Sequence, residues 1–406
     1  MAHKTPIPAA PVRALDLLDL PAVLIGQCLS YLCVGSFLRA AQACHALDRH
    51  ARAASPHTIR LDMSLRGLAR LLANNRDLPA SLLRLRPSRL WVDMHLGVRH
   101  IHALCTHMHS SLRHLRISLA RGATTSIACL SALTHLQVLD ISGNATLLGA
   151  DALRHLTQLT AFDGSIDMKD TADLPTSCRT LAIRWNCTPV AECRDAWVRM
   201  LQRPLTALTL GIGLIPNQVR DQVRDIARHC TALRKLDVAE CGDLAPLSAL
   251  PLLTELAYIP DMLATADDGL SRLTTLRSLS MGGYATRFGG LASLSSLTGL
   301  ETLNLARYYM RAADVAVVCD LRSTVLTDLQ VSIESPIVPH LDVRGLSSLS
   351  ALKYLGLGHN HTTRLRLHDL PHPLPRLEQL GASNPDIAGA WRLLRMYPTL
   401  TDVFAI

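Results

Sequence analysis

Four segments of the chain carry their leucines at one fixed spacing of three, three and then two residues. LTHLQVLDISGN places Leu133, Leu136, Leu139 and Ile141 in this way and closes on Asn144. The spacing returns at Leu273, Leu276, Leu279 and Met281, and again at Leu297, Leu300, Leu303 and Leu305. Its fourth copy is Leu349, Leu352, Leu355 and Leu357, closing on Asn360. Weaker copies centre on Leu90, Leu115, Phe162, Leu181, Leu208, Leu236, Leu256, Leu329, Leu380 and Val403, so that centres recur about every 19 to 28 residues. The final step of two reads as a short strand with alternate residues inward. The residues after it turn and run back as a helix or irregular segment. A unit this short cannot enclose a core, so each must bury its leucines against its neighbours.

The pattern LxxLxxLxLxxN resembles the leucine-rich repeat family. The resemblance implies an α/β fold, a leucine-rich repeat solenoid or horseshoe, spanning 57–406 as about 13 to 14 degenerate repeats. An Asn in the last slot places its amide among the backbone groups of the turn, as expected for Asn144, Asn186 and Asn360. Tyr284, Tyr308 and Cys241 take that slot elsewhere. The copy with Cys230, Leu233, Leu236, Val238, Cys241 and Leu244 resembles the cysteine-containing subclass of these repeats. That implies structural cysteines, buried as small apolar groups rather than bound to zinc.

With 49% hydrophobic and 18% charged residues, the chain is built to bury a core and is not a disordered segment. The eleven cysteines never fall as CxxC, which argues against a zinc ribbon or a disulfide framework and for a reducing cytosol or nucleus. The net charge of +8 is carried almost wholly by arginine, lysine being confined to Lys4, Lys169, Lys235 and Lys353. Apart from Arg84, Arg86 and Arg89 the arginines are dispersed and rarely lie among aromatics, so no nucleic-acid partner is expected.

Leu20 to Leu38 contain no charge at all. The run is long enough for a membrane helix, but Pro21, Gly26, Gln27, Ser30, Gly35 and Ser36 interrupt it. Asp16 and Asp19 sit where a signal peptide would be positive, so no membrane association is expected. The stretch LPAVLIGQCLSYLCVGSFLRAAQACHALDRHA instead resembles, without a gap, the F-box, a three-helix module that recruits the Skp adaptor of cullin-RING ubiquitin ligases. The resemblance implies a helical module over 15–56 after a flexible leader at 1–14. Leu20 and Pro21 would open its first helix, Leu24, Ile25, Cys28, Leu29 and Leu32 would form the apolar stripe, and Phe37 and Leu38 would begin the second helix. These nine residues are the expected adaptor-binding surface, and through the adaptor the partner is a cullin. Val23 stands where the family usually has an acid, and Leu47 where it has tryptophan. Thr58 to Ser64 read as a first, incomplete repeat strand.

No catalytic site is expected. Some bacterial ubiquitin ligases with leucine-rich repeats use a Cys-x-Asp in a large helical domain, and Cys193-Arg194-Asp195 matches that tripeptide. It falls between the centres Leu181 and Leu208, with no room for such a domain, and reads as a convex helix with a buried thiol. His100, His102, His107 and His109 read as the solvated face of a helix whose apolar stripe is Ile101, Leu104, Cys105 and Met108, so no metal is expected. Walker loops, dinucleotide fingerprints and nucleophile elbows are absent, and no cofactor is expected.

Recognition then falls to the concave sheet. Its outward positions include Arg116, Asp140, Arg184, Lys235, Asp237, Asp328 and Tyr354, with Trp91 and Trp185 on or beside them. Most other outward positions are small, leaving room for a protein target to approach the backbone. The expected function is a substrate receptor of a ubiquitin ligase, cytoplasmic or nuclear. The arginine-rich, lysine-poor composition is also compatible with a bacterial effector secreted into a host cell. The alternatives are a repeat scaffold without ligase association and an exported recognition protein using Leu20 to Leu38 as its signal.

Overall fold

Leucines three residues apart stack on one another in a 3-10 turn, and this is the conformation that leads into the strands. The Leu133 amide donates to the Leu130 carbonyl at 2.8 Å, and the Leu136 amide to that of Leu133 at 2.9 Å. The same two steps recur at Leu156 and Leu159, at Leu250 and Leu253, at Leu273 and Leu276, at Leu297 and Leu300, and at Leu349 and Leu352. A repeat thus uses a period of three to descend and a period of two to extend.

The computed structural model of the chain describes residues 58–61, 88–119, 122, 124–143, 146–184, 193–211, 216–241, 243–260, 269–283, 291–308, 317–318, 321, 325–333, 346, 348–359, 374–382, 397 and 399–405. The F-box-like segment 15–56, with all nine expected adaptor contacts, lies outside them. So do the leader, Trp185, Asn144, Asn186, Asn360 and Tyr284.

Among the described residues fifteen parallel strands form one sheet in the order of the chain, and Thr124–Ser126 pairs with Thr146–Leu148 in a separate two-stranded sheet. The first is Thr58–Leu61, and each of the fourteen centres contributes one more. The centres lie in a single row: Leu90 pairs with Leu115, Leu115 with Leu139, Leu139 with Phe162, and so on to Leu380 with Val403. From Leu90 to Leu380 every member of the row is 2% exposed or less. At about 25 cal/mol per Å2 of apolar surface, this row and its inward neighbours dominate the stability of the fold. Phe162 fits a leucine slot because Gly164 occupies the next inward position. A Cβ there would stand 2.8 Å from the phenyl Cζ, so the ring takes the volume the glycine leaves.

Among the described residues the opposite side carries three α-helices, α1 (Val98–Met108), α2 (Arg194–Leu201) and α3 (Pro216–His229), and short 3-10 segments such as Ala128–Ala132 and Ala245–Ala249. The longest intervals between the fourteen centres, Leu181 to Leu208 and Leu208 to Leu236, carry α2 and α3. Trp197 of α2 is fully buried, and its indole N–H donates to Asp225 Oδ2 of α3 at 3.0 Å. Arg194 Nη2 donates to the other oxygen at 2.8 Å. Where backbones of adjacent repeats touch, only glycine fits: Gly269 has φ +78, and a Cβ there would lie 2.4 Å from the Ala245 nitrogen.

Two local expectations are corrected. His100 is buried in the first turn of α1, and its Nδ1 accepts from the Gly97 amide at 3.3 Å, while His102, His107 and His109 are exposed. A free backbone N–H at the helix start drew one histidine inward. Cys193 precedes α2 and is half-buried, not buried, because the inward positions of that helix are Ala196, Trp197 and Met200. Cys230 and Cys241 are buried, and burial pushes the Cys230 thiol up to about 12. Among the described residues no helix is long and apolar enough to cross a membrane.

Candidate functional site

Helices and 3-10 segments cover one face of the sheet and leave the other open. On the open face the residues on either side of each centre line up across strands, and three groups stand out.

The first is charged. Trp91, Arg116, Asp140 and Asp163 are successive register partners on four adjacent strands. Neighbouring carboxylates on a sheet repel, and here each has a cation at hand. Arg116 Nε lies 3.3 Å from Asp140 Oδ2, and Arg184 Nη2 donates to Asp163 Oδ1 at 2.8 Å. The stem of Arg184 lies across Gly211, where a Cβ would meet Arg184 Cγ at 3.1 Å. Burial raises the carboxyl of Asp163 above its ordinary value and outweighs the guanidinium groups of Arg184 and Arg116, which pull it down. Trp91 remains 38% exposed beside this quartet. A flat ring next to oriented charges is the kind of anchor on which protein interfaces concentrate their binding energy.

The second group joins Lys235 and Glu255, register partners with Nζ 3.0 Å from Oε2. Asp237 follows two residues on, pointing to the same face. Both paired side chains are about half exposed, so the pair orients charge more than it stabilises the fold.

The third group is Asp328 and Tyr354, again register partners. Thr327 Oγ1 donates to Asp328 Oδ2 at 2.5 Å. The ring of Tyr354 leans along its strand, so that a Cβ on Gly356 would be 2.9 Å from the phenol oxygen and 2.9 Å from Gln330 Cγ. Burial and then the nearby Asp328 carboxylate push the phenol pKa up, which keeps it a neutral donor at physiological pH.

The sequence-derived positions therefore fall into three blocks. Arg116, Asp140, Arg184 and Trp91 come together; Lys235 and Asp237 form a second block; Asp328 and Tyr354 form a third. Asp163 and Glu255 were missed, although they stand at the offsets from Phe162 and Leu256 that Asp140 and Lys235 have from their own centres. The expectation that small outward residues leave the backbone open is corrected at Gly211 and Gly356. Arg184, Gln330 and Tyr354 occupy that space. Among the described residues no group of three or more His, Cys, Asp or Glu could hold a metal ion.

No protein-family model matches the chain, and no curated protein matches it. Among solved structures, a leucine-rich repeat protein of Leptospira interrogans is similar over 83% of this chain and 98% of its own, at 14% identity and a TM-score of 0.35. What decides the architecture is the chain's own register, one parallel strand per leucine unit with the centres from Leu90 to Leu380 in a single buried row. The described strands form a solenoid, one parallel strand per leucine-bearing unit. The solenoid gives its open face a fixed backbone on which the three blocks sit at set strand positions.

Proposed function

We propose that this leucine-rich repeat protein is a non-catalytic substrate receptor of a ubiquitin ligase. The F-box-like segment 15–56 docks a Skp-type adaptor and through it a cullin, and the open face of the sheet holds a protein target. Transfer of ubiquitin is done by other subunits, and the receptor contributes proximity. The observation that carries this reading is the pairing of two features: a charge-free Leu20 to Leu38 in a gapless F-box pattern, and an exposed Trp91 set beside the Arg116, Asp140, Asp163 and Arg184 quartet. The adaptor contacts are Leu20, Pro21, Leu24, Ile25, Cys28, Leu29, Leu32, Phe37 and Leu38. The site of action is the cytoplasm or nucleus, and arginine-rich, lysine-poor composition favours delivery into a host cell by a bacterium.

A second reading, a recognition scaffold without ligase association, is favoured by Val23 and Leu47 at positions where the F-box usually has an acid and a tryptophan. The two readings separate in eukaryotic cells expressing the wild type, a Leu20→Ala/Pro21→Ala variant and a Trp91→Ala/Arg116→Ala variant. Quantifying ubiquitin-modified peptides should reveal proteins modified only with the wild type, and lost with both variants. Modification unchanged by the first variant removes the ligase role; modification unchanged by the second removes the open face as the target site.

A further inference from the structure

Two thiols face each other on the helical side, in neighbouring repeats. Cys105 lies on α1 and is 2% exposed; Cys129 lies in the 3-10 segment Ala128–Ala132 and is only half-buried. They are 24 positions apart in sequence, with Sγ to Sγ 3.7 Å, and the Cys105 S–H donates to the Cys129 sulfur. Cys178 and Cys230, by contrast, point their sulfurs at the carbonyls of Thr180 and Leu201. The S–H bond from Cys105 lowers the pKa of Cys129 against the opposing effect of burial, and the same bond, reinforced by burial, raises that of Cys105. The half-exposed outer sulfur is thus the more readily ionised of the two.

We propose that Cys105 and Cys129 form a redox modification site at which a hydroperoxide oxidises Cys129 and Cys105 then closes on it, stapling the repeat of α1 to the next. In the first step the Cys129 thiolate attacks one peroxide oxygen and the O–O bond breaks. Cys129 becomes a sulfenic acid, and the hydroxide expelled from hydrogen peroxide takes up one proton, equivalent to the one Cys129 gave up on ionising, to depart as water. In the second step the Cys105 sulfur attacks the Cys129 sulfur, the S–OH bond breaks, and the hydroxyl leaves with the Cys105 proton as a second water. Two thiols and one hydrogen peroxide give one disulfide and two waters. The sulfurs must close from 3.7 Å to about 2.0 Å. An external thiol reverses the reaction by exchange at the half-exposed Cys129.

The folded full chain, treated with hydrogen peroxide, alkylated and cut after arginine and lysine without reduction, tests this. Cys105 and Cys129 fall in the separate peptides 100–113 and 122–154, each containing a single cysteine. The expected product is those two peptides joined, two hydrogens lighter than their sum, with Cys178 and Cys230 still fully alkylated. A reducing thiol should restore both peptides, and in urea the pairing should lose its selectivity. In a Cys105→Ala variant, dimedone should trap Cys129 as the sulfenic acid. Full alkylation of Cys105 and Cys129 in peroxide-treated wild type would overturn the proposal. So would a sulfinic Cys129 beside an untouched Cys105, or disulfides from Cys129 scattered over other cysteines.

Discussion

Leu303 and Thr302 are adjacent in sequence and opposite in fate. Leu303 is fully buried between Leu279 and Leu329, whereas Thr302 is half-exposed beside Ser278 and Asp328. Leu303→Asp places a carboxylate between stacked repeats with no partner and should cost about 3 to 5 kcal/mol. Thr302→Asp adds only a like charge across from Asp328 and should cost under about 1 kcal/mol; urea midpoints of the two variants should differ sharply. A pH dependence follows at Asp163. Its raised carboxyl takes up a proton in the folded chain at higher pH than in the unfolded chain, so the folded state binds more protons in that window and gains stability as pH falls. Lowering pH from 7 toward the ordinary carboxylate range should therefore stabilise the wild type relative to Asp163→Asn, and a constant difference between their midpoints would refute the assignment. The leucine row was legible in the sequence because each member meets the same two neighbours and tolerates little change. Asp163 was not, because its meaning depends on Arg184, which reaches it from the end of the next strand.

At the scale of elements, α2 and α3 are held together through Asp225, which serves Trp197 and Arg194 at once and is 13% exposed. Asp225→Ala removes the carboxylate that accepts from the buried indole N–H and should destabilise by about 1 to 3 kcal/mol. Asp225→Asn keeps an acceptor for the indole and should cost less, a ranking that thermal unfolding monitored by tryptophan emission would read. The sequence placed a convex helix at Cys193 to Asp195, between two repeat centres, but not its tie to α3, since that tie joins different repeats. The same blindness concealed the Cys105 and Cys129 contact and put His100 on the wrong face. Helix periodicity reports which side is apolar, and it does not report an unpaired amide at the first turn. At the edge leading into the strands, Arg179, Arg234 and Arg277 alternate with Thr206 and Thr254. The threonine hydroxyls donate to the carbonyls of Arg179 and Arg234, both at 3.4 Å, and the spacing keeps like charges two strands apart. That alternation can be seen only once the register is known.

Across the whole molecule, four lysines in 406 residues have a consequence for the proposed role of a receptor held beside a charged ubiquitin conjugate. The three described lysines are engaged in ion pairs, Lys169 with Asp167, Lys235 with Glu255 and Lys353 with Glu378. Arginine keeps surface charge but offers no amine to accept ubiquitin. Converting Arg220, Arg224 and Arg228 of α3 to lysine should leave folding intact yet shorten the protein's half-life in cells, and the shortening should vanish when Leu20 and Pro21 are also replaced by alanine. An unchanged half-life would reduce the scarcity of lysine to codon composition. The repeat architecture was readable from spacing alone, while the partner of the N-terminal segment rests on its resemblance and its charge-free surface. Light scattering of the purified full chain mixed with recombinant Skp adaptor addresses that partner directly. A one-to-one complex is predicted for the wild type and for Trp91→Ala/Arg116→Ala, and its loss for Leu20→Ala/Pro21→Ala with the thermal unfolding of the repeats unchanged. Absence of a complex with the wild type, or its persistence in the Leu20→Ala/Pro21→Ala variant, would contradict the account.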